Sequence, residues 1–104
     1  MTNCCVITTA CNKKEIADSI IKSLLEKRLV SVCQVFDINS TYWWEDKIVN
    51  EPEFFIQMKT KKELFEEVRD EIRRIHDYDL CEIASYDIDD GSEEYINWLK
   101  YETK

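Results

Sequence analysis

Tyr42-Trp43-Trp44-Glu45-Asp46-Lys47 is the stretch that decides the fold, because it sets three consecutive aromatic residues just before a charged turn. Neighbouring residues of a strand point to opposite faces, so Tyr42 and Trp44 share one face and Trp43 takes the other. Each such side chain hides about 150–250 Å² when buried, and one small domain cannot easily cover both faces of a hairpin near its turn. The stretch predicts a β-hairpin that turns near Glu45 and Asp46 and is covered by another copy of the chain.

The segment before the hairpin changes its hydrophobic period twice. Residues 4–9 are apolar and β-branched, which predicts a strand. Asn12 is then the expected cap of a helix, and from Val30 a period of two predicts the strand that leads to the hairpin. The apolar positions at helical spacing are Ile16, Ala17, Ile20, Ile21, Leu24 and Leu25.

The segment after the hairpin repeats this order. Pro52 marks an edge or a break, and the strand beyond it carries Phe54, Ile56 and Met58 on one face. Residues 60–63 read Thr-Lys-Lys-Glu, a capping box that predicts a second helix. A last strand is predicted over residues 83–88, and Ser92 is the expected cap of a short terminal helix.

The order β-α-β, hairpin, β-α-β and terminal helix indicates an α+β chain with a ferredoxin-like sandwich, in which two helices cover one face of an antiparallel sheet. The other face of the sheet is then expected to be open. Residues assigned to that open face are largely apolar, which a solvated face would not be, and this again predicts oligomerisation. They are Cys5, Ile7, Cys33, Val35 and Phe55.

Composition bounds the protein to one domain, spanning residues 1–104, of which 44% are hydrophobic. The net charge is −8, and residues 77–104 hold 9 of the 22 acidic residues but only 2 of the 14 basic ones. The sequence does not indicate a cluster of basic residues that could bind phosphate groups, so neither nucleic acid nor an anionic membrane is an expected partner. The acidic residues suit cations or basic partners, or they simply keep the protein soluble.

The five cysteines form no Cys-x-x-Cys pair and follow no recognisable export signal. Reduced thiols in the cytosol are therefore expected. With one glycine, the chain cannot build a glycine-rich phosphate loop. The single histidine is paired with no nucleophile by any sequence signature, so an enzyme is the least expected class.

Several short motifs are spaced along nearly the whole chain. They are residues 29–33 (Leu-Val-Ser-Val-Cys), residues 40–45 (Ser-Thr-Tyr-Trp-Trp-Glu), Lys59-Thr60, His76-Asp77-Tyr78, Glu82-Ile83, and the pair Tyr95 and Trp98. Together they resemble the CutA divalent-cation tolerance family. The resemblance implies a ferredoxin-like subunit in a tight homotrimer, with hairpins reaching across to neighbouring subunits. It also implies an architecture like that of the PII signalling proteins and a link to metal tolerance, usually of copper, without a catalytic mechanism or a required cofactor.

The chain departs from the family pattern where metal ligands would be sought. Family members commonly read His-Pro-Tyr-x-x-Pro-Glu, whereas both prolines are replaced over residues 76–82, by Asp77 and Cys81. Thr8 stands where some members carry a cysteine implicated in copper binding. Cys11, nearby in sequence, either substitutes for that thiol or is incidental.

The candidate ligands for Cu²⁺ or another divalent metal are His76, Glu82, Cys11, Cys33 and Cys81. An imidazole with carboxylates and thiols is a donor set that copper or zinc accepts. Each also has an ordinary structural role: His76 suits a helix C-terminus, and Cys33 suits an apolar core. Cys81 and Glu82 can join His76 only if the loop between them folds back.

The sequence thus favours a cytosolic, trimeric, metal-responsive regulatory protein. Two alternatives remain open at this point. One is a structural trimer that displays a surface for a protein partner, and the other is a PII-like sensor that binds small molecules in clefts between subunits.

Overall fold

The computed structural model describes residues 1–104 and has four strands and three helices. In chain order they are β1 (Cys4–Cys11), α1 (Lys14–Glu26), β2 (Val32–Trp44), β3 (Lys47–Lys61), α2 (Phe65–Ile75, preceded by a 3-10 turn over Lys62–Leu64), β4 (Ala84–Ile88) and α3 (Glu93–Glu102). The sheet has the order β2-β3-β1-β4, and every neighbouring pair is antiparallel. The predicted α+β sandwich is confirmed. None of the helices is long and apolar enough to cross a membrane.

The hairpin is one continuous ladder from Val32 to Lys59 rather than a short insertion between separate strands. Its turn is Glu45-Asp46, both with positive φ (49° and 63°), which is the two-residue type I′ geometry that matches strand twist. β1 pairs with β3 only as far as Phe54, so the ladder beyond that point projects from the body. Pro52 lies within this projecting part and does not break the strand.

The core lies between one face of the sheet and helices α1 and α2. Ile20 and Leu24 of α1 and Val68 and Ile72 of α2 are fully buried against it. The sheet's contribution includes Cys5, Ile7, Cys11, Ile56 and Met58, with Cys33 and Phe54 packed beside them. At roughly 25 cal/mol per Å² of apolar surface removed from water, this layer supplies most of the driving force for folding of the chain.

The prediction of which residues lie on the open face was wrong for four of the five. Cys5, Ile7 and Cys33 belong to the helix-covered core, and Val35 is paired with the core residue Ile56. Only Phe55 lies on the second face, opposite Phe36. The physical reason is that β1 and the first half of β2 are apolar on both sides, so alternation alone cannot tell which side receives the helices.

The second face is partly covered by α3. Ile96 and Leu99 of α3 pack against Cys4, with Ile88 beside them. Away from α3 this face remains exposed, with Phe36 50% and Tyr86 59% accessible. The expected apolar second face therefore exists, but it is carried by other residues.

Two predicted helix caps differ from the structure. α1 begins at Lys14 after Lys13, not after Asn12, and neither Lys13 nor the residues before α2 make a side-chain cap. Thr60 is buried next to the end of β3, and its hydroxyl donates to the Leu29 carbonyl at 2.6 Å. Because the Thr60 hydroxyl is used to hold the loop at Leu29, it does not form the predicted capping box of α2. Ser92 does precede α3 as expected, but without a side-chain cap.

Candidate functional site

His76 anchors the loop that follows α2 to the sheet. Its side chain is fully enclosed, and its Nδ1 accepts the backbone N–H of Tyr78 at 3.1 Å. Nε2 therefore carries the ring proton and donates it to the Ala10 carbonyl at 2.7 Å. Both imidazole nitrogens are thus occupied, and in this conformation neither is free to bind a metal.

The remaining candidate ligands are distributed over the fold. Cys11 is buried, with its thiol directed at the Lys13 carbonyl, and Cys33 packs against the core. Cys81 and Glu82 are adjacent in the loop and line one cleft. Burial raises the pKa of the Cys11 and Cys81 thiols, and that of Cys33 to about 12, so each would bind a metal only after an unfavourable loss of its proton.

The candidate metal ligands do not form a metal-binding site within one chain. No group of three or more histidine, cysteine, aspartate or glutamate residues lies close enough together to hold an ion. The five predicted ligands (His76, Cys11, Cys33, Cys81 and Glu82) are therefore not brought together within one chain. Their role as ligands stays a prediction.

A cleft of about 740 Å³ lies between the projecting hairpin and the loop after His76. The hairpin supplies one wall and the loop supplies the other, because His76 holds the loop against β1. The residues that line it are Ala10, Asn12, Tyr42, Trp43, Trp44, Glu51, Glu53, Tyr78, Asp79, Leu80, Cys81, Glu82 and Ile83. They include four aromatic side chains and four carboxylates, but no lysine or arginine.

Tyrosine hydroxyls and carboxylates are linked inside this cleft. Tyr42 donates to Glu51 Oε1 at 2.6 Å, and Tyr78 donates to Glu53 Oε2 at 3.0 Å and reaches Glu51 Oε1 at 3.3 Å. The hydrogen bond to Glu51 raises the pKa of Tyr42 to about 12, and burial followed by the bond to Glu53 raises that of Tyr78. Both tyrosines are therefore fixed as neutral donors whose rings line the cleft.

The carboxylates of the cleft have no cationic partner. None of Glu51, Glu53, Asp79 and Glu82 makes an ion pair, whereas the nearby Asp77 pairs with Lys13 at 2.9 Å. Glu82 is exposed at the rim, yet lost hydration and then the charge of Glu53 raise its pKa. Such a site favours a positively charged occupant.

Sequence reasoning selected Glu82 and Cys81 but missed Glu51 and Glu53. The available signal was their spacing of two within β3, which places both carboxylates on one face of the strand, the face that also carries Tyr42. The contact of Tyr78 with these carboxylates could not be predicted from the sequence, because the path of its loop depends on the hydrogen bond between His76 and Ala10.

The chain is similar to proteins associated with divalent-cation tolerance. The profile of the CutA1 divalent ion tolerance protein family matches residues 5–102. The divalent-cation tolerance protein CutA of Pyrococcus horikoshii is 38% identical over 90 residues, which is 86% of this chain and 88% of that protein. The protein of the same name from Archaeoglobus fulgidus is 41% identical over 85 residues, covering 82% of this chain and 83% of the relative.

Solved structures agree with the sequence comparison. The structure described as the periplasmic divalent cation tolerance protein CutA from Archaeoglobus fulgidus superposes with a TM-score of 0.94 at 36% identity, covering 97% of this chain and 99% of that one. The divalent cation tolerance protein from Thermus thermophilus gives a TM-score of 0.93 at 27% identity, with 97% and 99% covered.

Proposed function

The chain belongs to the CutA1 divalent ion tolerance family, and on that basis we propose that it acts in the cellular response to divalent metal, with copper as the metal, as a homotrimeric regulatory protein and not as an enzyme. The observation that carries the proposal, beyond membership, is the apolar surface that one chain leaves uncovered. The cytosol is the compartment proposed, because all five cysteines are free thiols.

The uncovered surface lies on the hairpin and on the second face of the sheet. Trp43 and Ile48 are cross-strand neighbours on the hairpin and are 72% and 65% exposed. Phe36 and Tyr86 are exposed on the second face of the sheet, whereas Trp43 and Ile48 lie on the other side of the ladder. Large apolar patches on an otherwise well-packed chain mark interaction surfaces, and the outer edges of β2 and β4 are also unpaired. Second and third copies of the same chain are the occupants we propose.

Light scattering after size exclusion tests the assembly. The wild-type protein should elute with three times the 12.5 kDa mass of the chain. Trp43→Ser and Ile48→Ser together should shift the protein towards smaller species at micromolar concentration. Tyr101→Ser is the matched control, because Tyr101 is 85% exposed but lies far from the hairpin tip. It is at the end of α3, where Glu102 pairs with Arg28, and Arg28 precedes β2 at the opposite end of that strand from the tip. A wild-type monomer would overturn the proposal.

A role without catalysis is supported by the state of the reactive groups. The only imidazole is enclosed with both nitrogens hydrogen bonded, and burial raises the pKa of four of the five thiols, those of Cys5, Cys11, Cys33 and Cys81. General-base catalysis needs an accessible base, and nucleophilic catalysis by cysteine needs a thiol of lowered pKa.

Titration with Cu²⁺ tests the proposed metal. Because His76 has no free nitrogen, a copper ion that takes its imidazole must release the loop from Ala10, and copper binding should therefore alter the environment of Tyr78. His76→Ala and Glu82→Gln should each weaken copper binding while the trimer persists. Glu66→Gln, which removes an exposed carboxylate of α2, is the charge-matched control. Unchanged copper affinity in both His76→Ala and Glu82→Gln would exclude these ligands.

A second candidate is a PII-like sensor of small molecules, and the cleft favours it. A cavity of about 740 Å³ with aromatic walls and a few fixed polar groups is typical of ligand sites. A ligand that binds only the folded protein raises the melting temperature, and the shift keeps growing as the ligand concentration rises above its Kd. A thermal-shift screen of small molecules therefore separates this function from a purely structural trimer.

A further inference from the structure

We propose that the cleft between the hairpin and the loop after His76 binds an aliphatic diamine or polyamine, held by Glu53 and the other cleft carboxylates and packed against the aromatic walls. The proposal rests on the small-molecule role described above and names the chemical class of the ligand.

Glu53 is the observation that points to a cation. The residue is only 8% exposed, and it lines the cleft. One carboxylate oxygen accepts from Tyr78, and the other makes no hydrogen bond within the chain. A buried carboxylate is normally compensated by a cation or by several donors, and Glu53 has one hydroxyl and no cation. A positively charged group in the cleft would supply the missing partner.

The distribution of charge favours an elongated cation with more than one ammonium group. Glu51 and Glu53 lie on the strand wall, and Asp79 and Glu82 lie on the loop wall, so negative charge is present on both sides of the cleft. A compact metal ion needs three or more donors converging on one point, and the chain offers no such group. Two separated ammonium groups match this arrangement better than one ion.

The aromatic walls favour an organic cation over a hydrated inorganic one. Tyr42, Trp44 and Tyr78 line the cleft, and the two tyrosine hydroxyls are already directed at carboxylates. The faces of aromatic rings attract ammonium groups and also cover methylene chains. An aliphatic diamine presents both features, a charge at each end and a hydrocarbon chain between them.

The test uses the assembled wild-type protein, with 1,5-diaminopentane as the probe and isothermal titration calorimetry as the measurement. Tryptophan emission gives a second readout, because two of the three tryptophans line the cleft. Saturable binding is expected. The uncharged analogue 1,5-pentanediol should not bind, and Mg²⁺ at equal ionic strength should not displace the diamine.

Substitutions then locate the site. Glu53→Gln should weaken diamine binding about tenfold or more, because one charge-assisted contact is lost. Glu82→Gln, at the exposed rim and therefore safe for folding, should weaken it several-fold. Glu66→Gln removes the same charge from the outer surface of α2 and should leave the affinity unchanged.

Three results would overturn the proposal: no saturable binding of the diamine, equal binding of pentanediol, or equal loss of affinity in Glu66→Gln and Glu82→Gln. Light scattering of each sample reports assembly separately. A trimer that binds no diamine therefore contradicts only this inference, whereas a monomer contradicts the proposed function.

Discussion

At the scale of single residues, Glu71 shows how one carboxylate joins two helices. It is buried on α2 and accepts hydrogen bonds from Ser23 of α1, from Lys27 at 2.9 Å and from Arg74 at 2.6 and 3.0 Å. The Arg74 bonds, followed by that of Ser23, hold the pKa of Glu71 well below its usual range. Lys27 and Arg74 are more than half exposed, so solvent screens their part of the interaction.

We expect Glu71→Gln to lower the free energy of unfolding by about 1–2 kcal/mol at pH 7, because the charge-assisted bonds are lost. A lowered pKa in the folded state stabilises the protein above the ordinary carboxyl pKa of 4.5, and this contribution is lost as the pH falls below it. Urea unfolding at pH 7 and at pH 3 should therefore show the difference between wild type and variant shrinking at low pH. Glu66→Gln on the same helix should have little effect at either pH, and a difference that grows on acidification would contradict the assignment.

Residue roles were the least predictable part of the sequence. His76 is predicted as a metal ligand because it matches the family motif and is the only imidazole, and that role stays a prediction. Its hydrogen bond to the Ala10 carbonyl, far away in sequence, could not be predicted. Thr60 was assigned to a helix cap from a local pattern, and a tertiary partner, Leu29, takes its hydroxyl instead. Local patterns cannot show a competing partner that only the fold brings close.

At the scale of elements, the hairpin turn adopts its geometry with unfavourable residues. Glu45 and Asp46 both hold positive φ, a region that asparagine and glycine occupy at much lower cost. The turn was predicted at the correct place, although the sequence lacks the Asn-Gly or Asp-Gly pair that normally signals it. The aromatic and β-branched residues on both sides of the turn indicate the hairpin instead.

The double change Glu45→Asn and Asp46→Gly should raise the free energy of unfolding by about 1 kcal/mol, because it relieves two strained positions. Thermal and urea unfolding at a matched protein concentration measure the effect. The double change Glu45→Ala and Asp46→Ala removes the same two charges without the freedom of asparagine and glycine at positive φ and should not stabilise. Equal stability of the alanine and glycine variants would show that charge, not backbone geometry, limits this turn.

At the scale of the whole molecule, element order and fold class were predictable, while the assignment of sheet faces was not. The predicted helices and strands exist because each has a clear hydrophobic period, although the hairpin arms and their flanking strands are continuous and two predicted helix caps are not formed. The error over Cys5 and Ile7 arose because β1 is enclosed on both sides, by α1 and α2 on one face and by α3 on the other. A strand buried on both faces loses the alternation that identifies its outward side.

Reducing agent should leave the melting temperature unchanged. Cys4, Cys5 and Cys11 are enclosed by the packed sheet and helices, and none of the five cysteines forms a disulfide. Differential scanning calorimetry with and without dithiothreitol, at equal protein concentration, measures this directly. A large drop on reduction would mean that a disulfide stabilises the protein in solution, and it would also contradict the proposed compartment.

The tight turn between β2 and β3 also sets the order in which the chain can fold. These strands are joined by two residues, so their ladder closes with little loss of chain entropy, whereas β1 and β4 must bring Cys4 next to Ile88. Non-local pairings of this kind form late, because the long intervening chain must lose its loop entropy before the stabilising contacts between the strands can form. We therefore expect the hairpin to be structured in the folding transition state and β4 to dock afterwards. Kinetic φ-values should be high for Val35→Ala and low for Ile88→Ala, and the reverse pattern would show that folding begins at the ends of the chain.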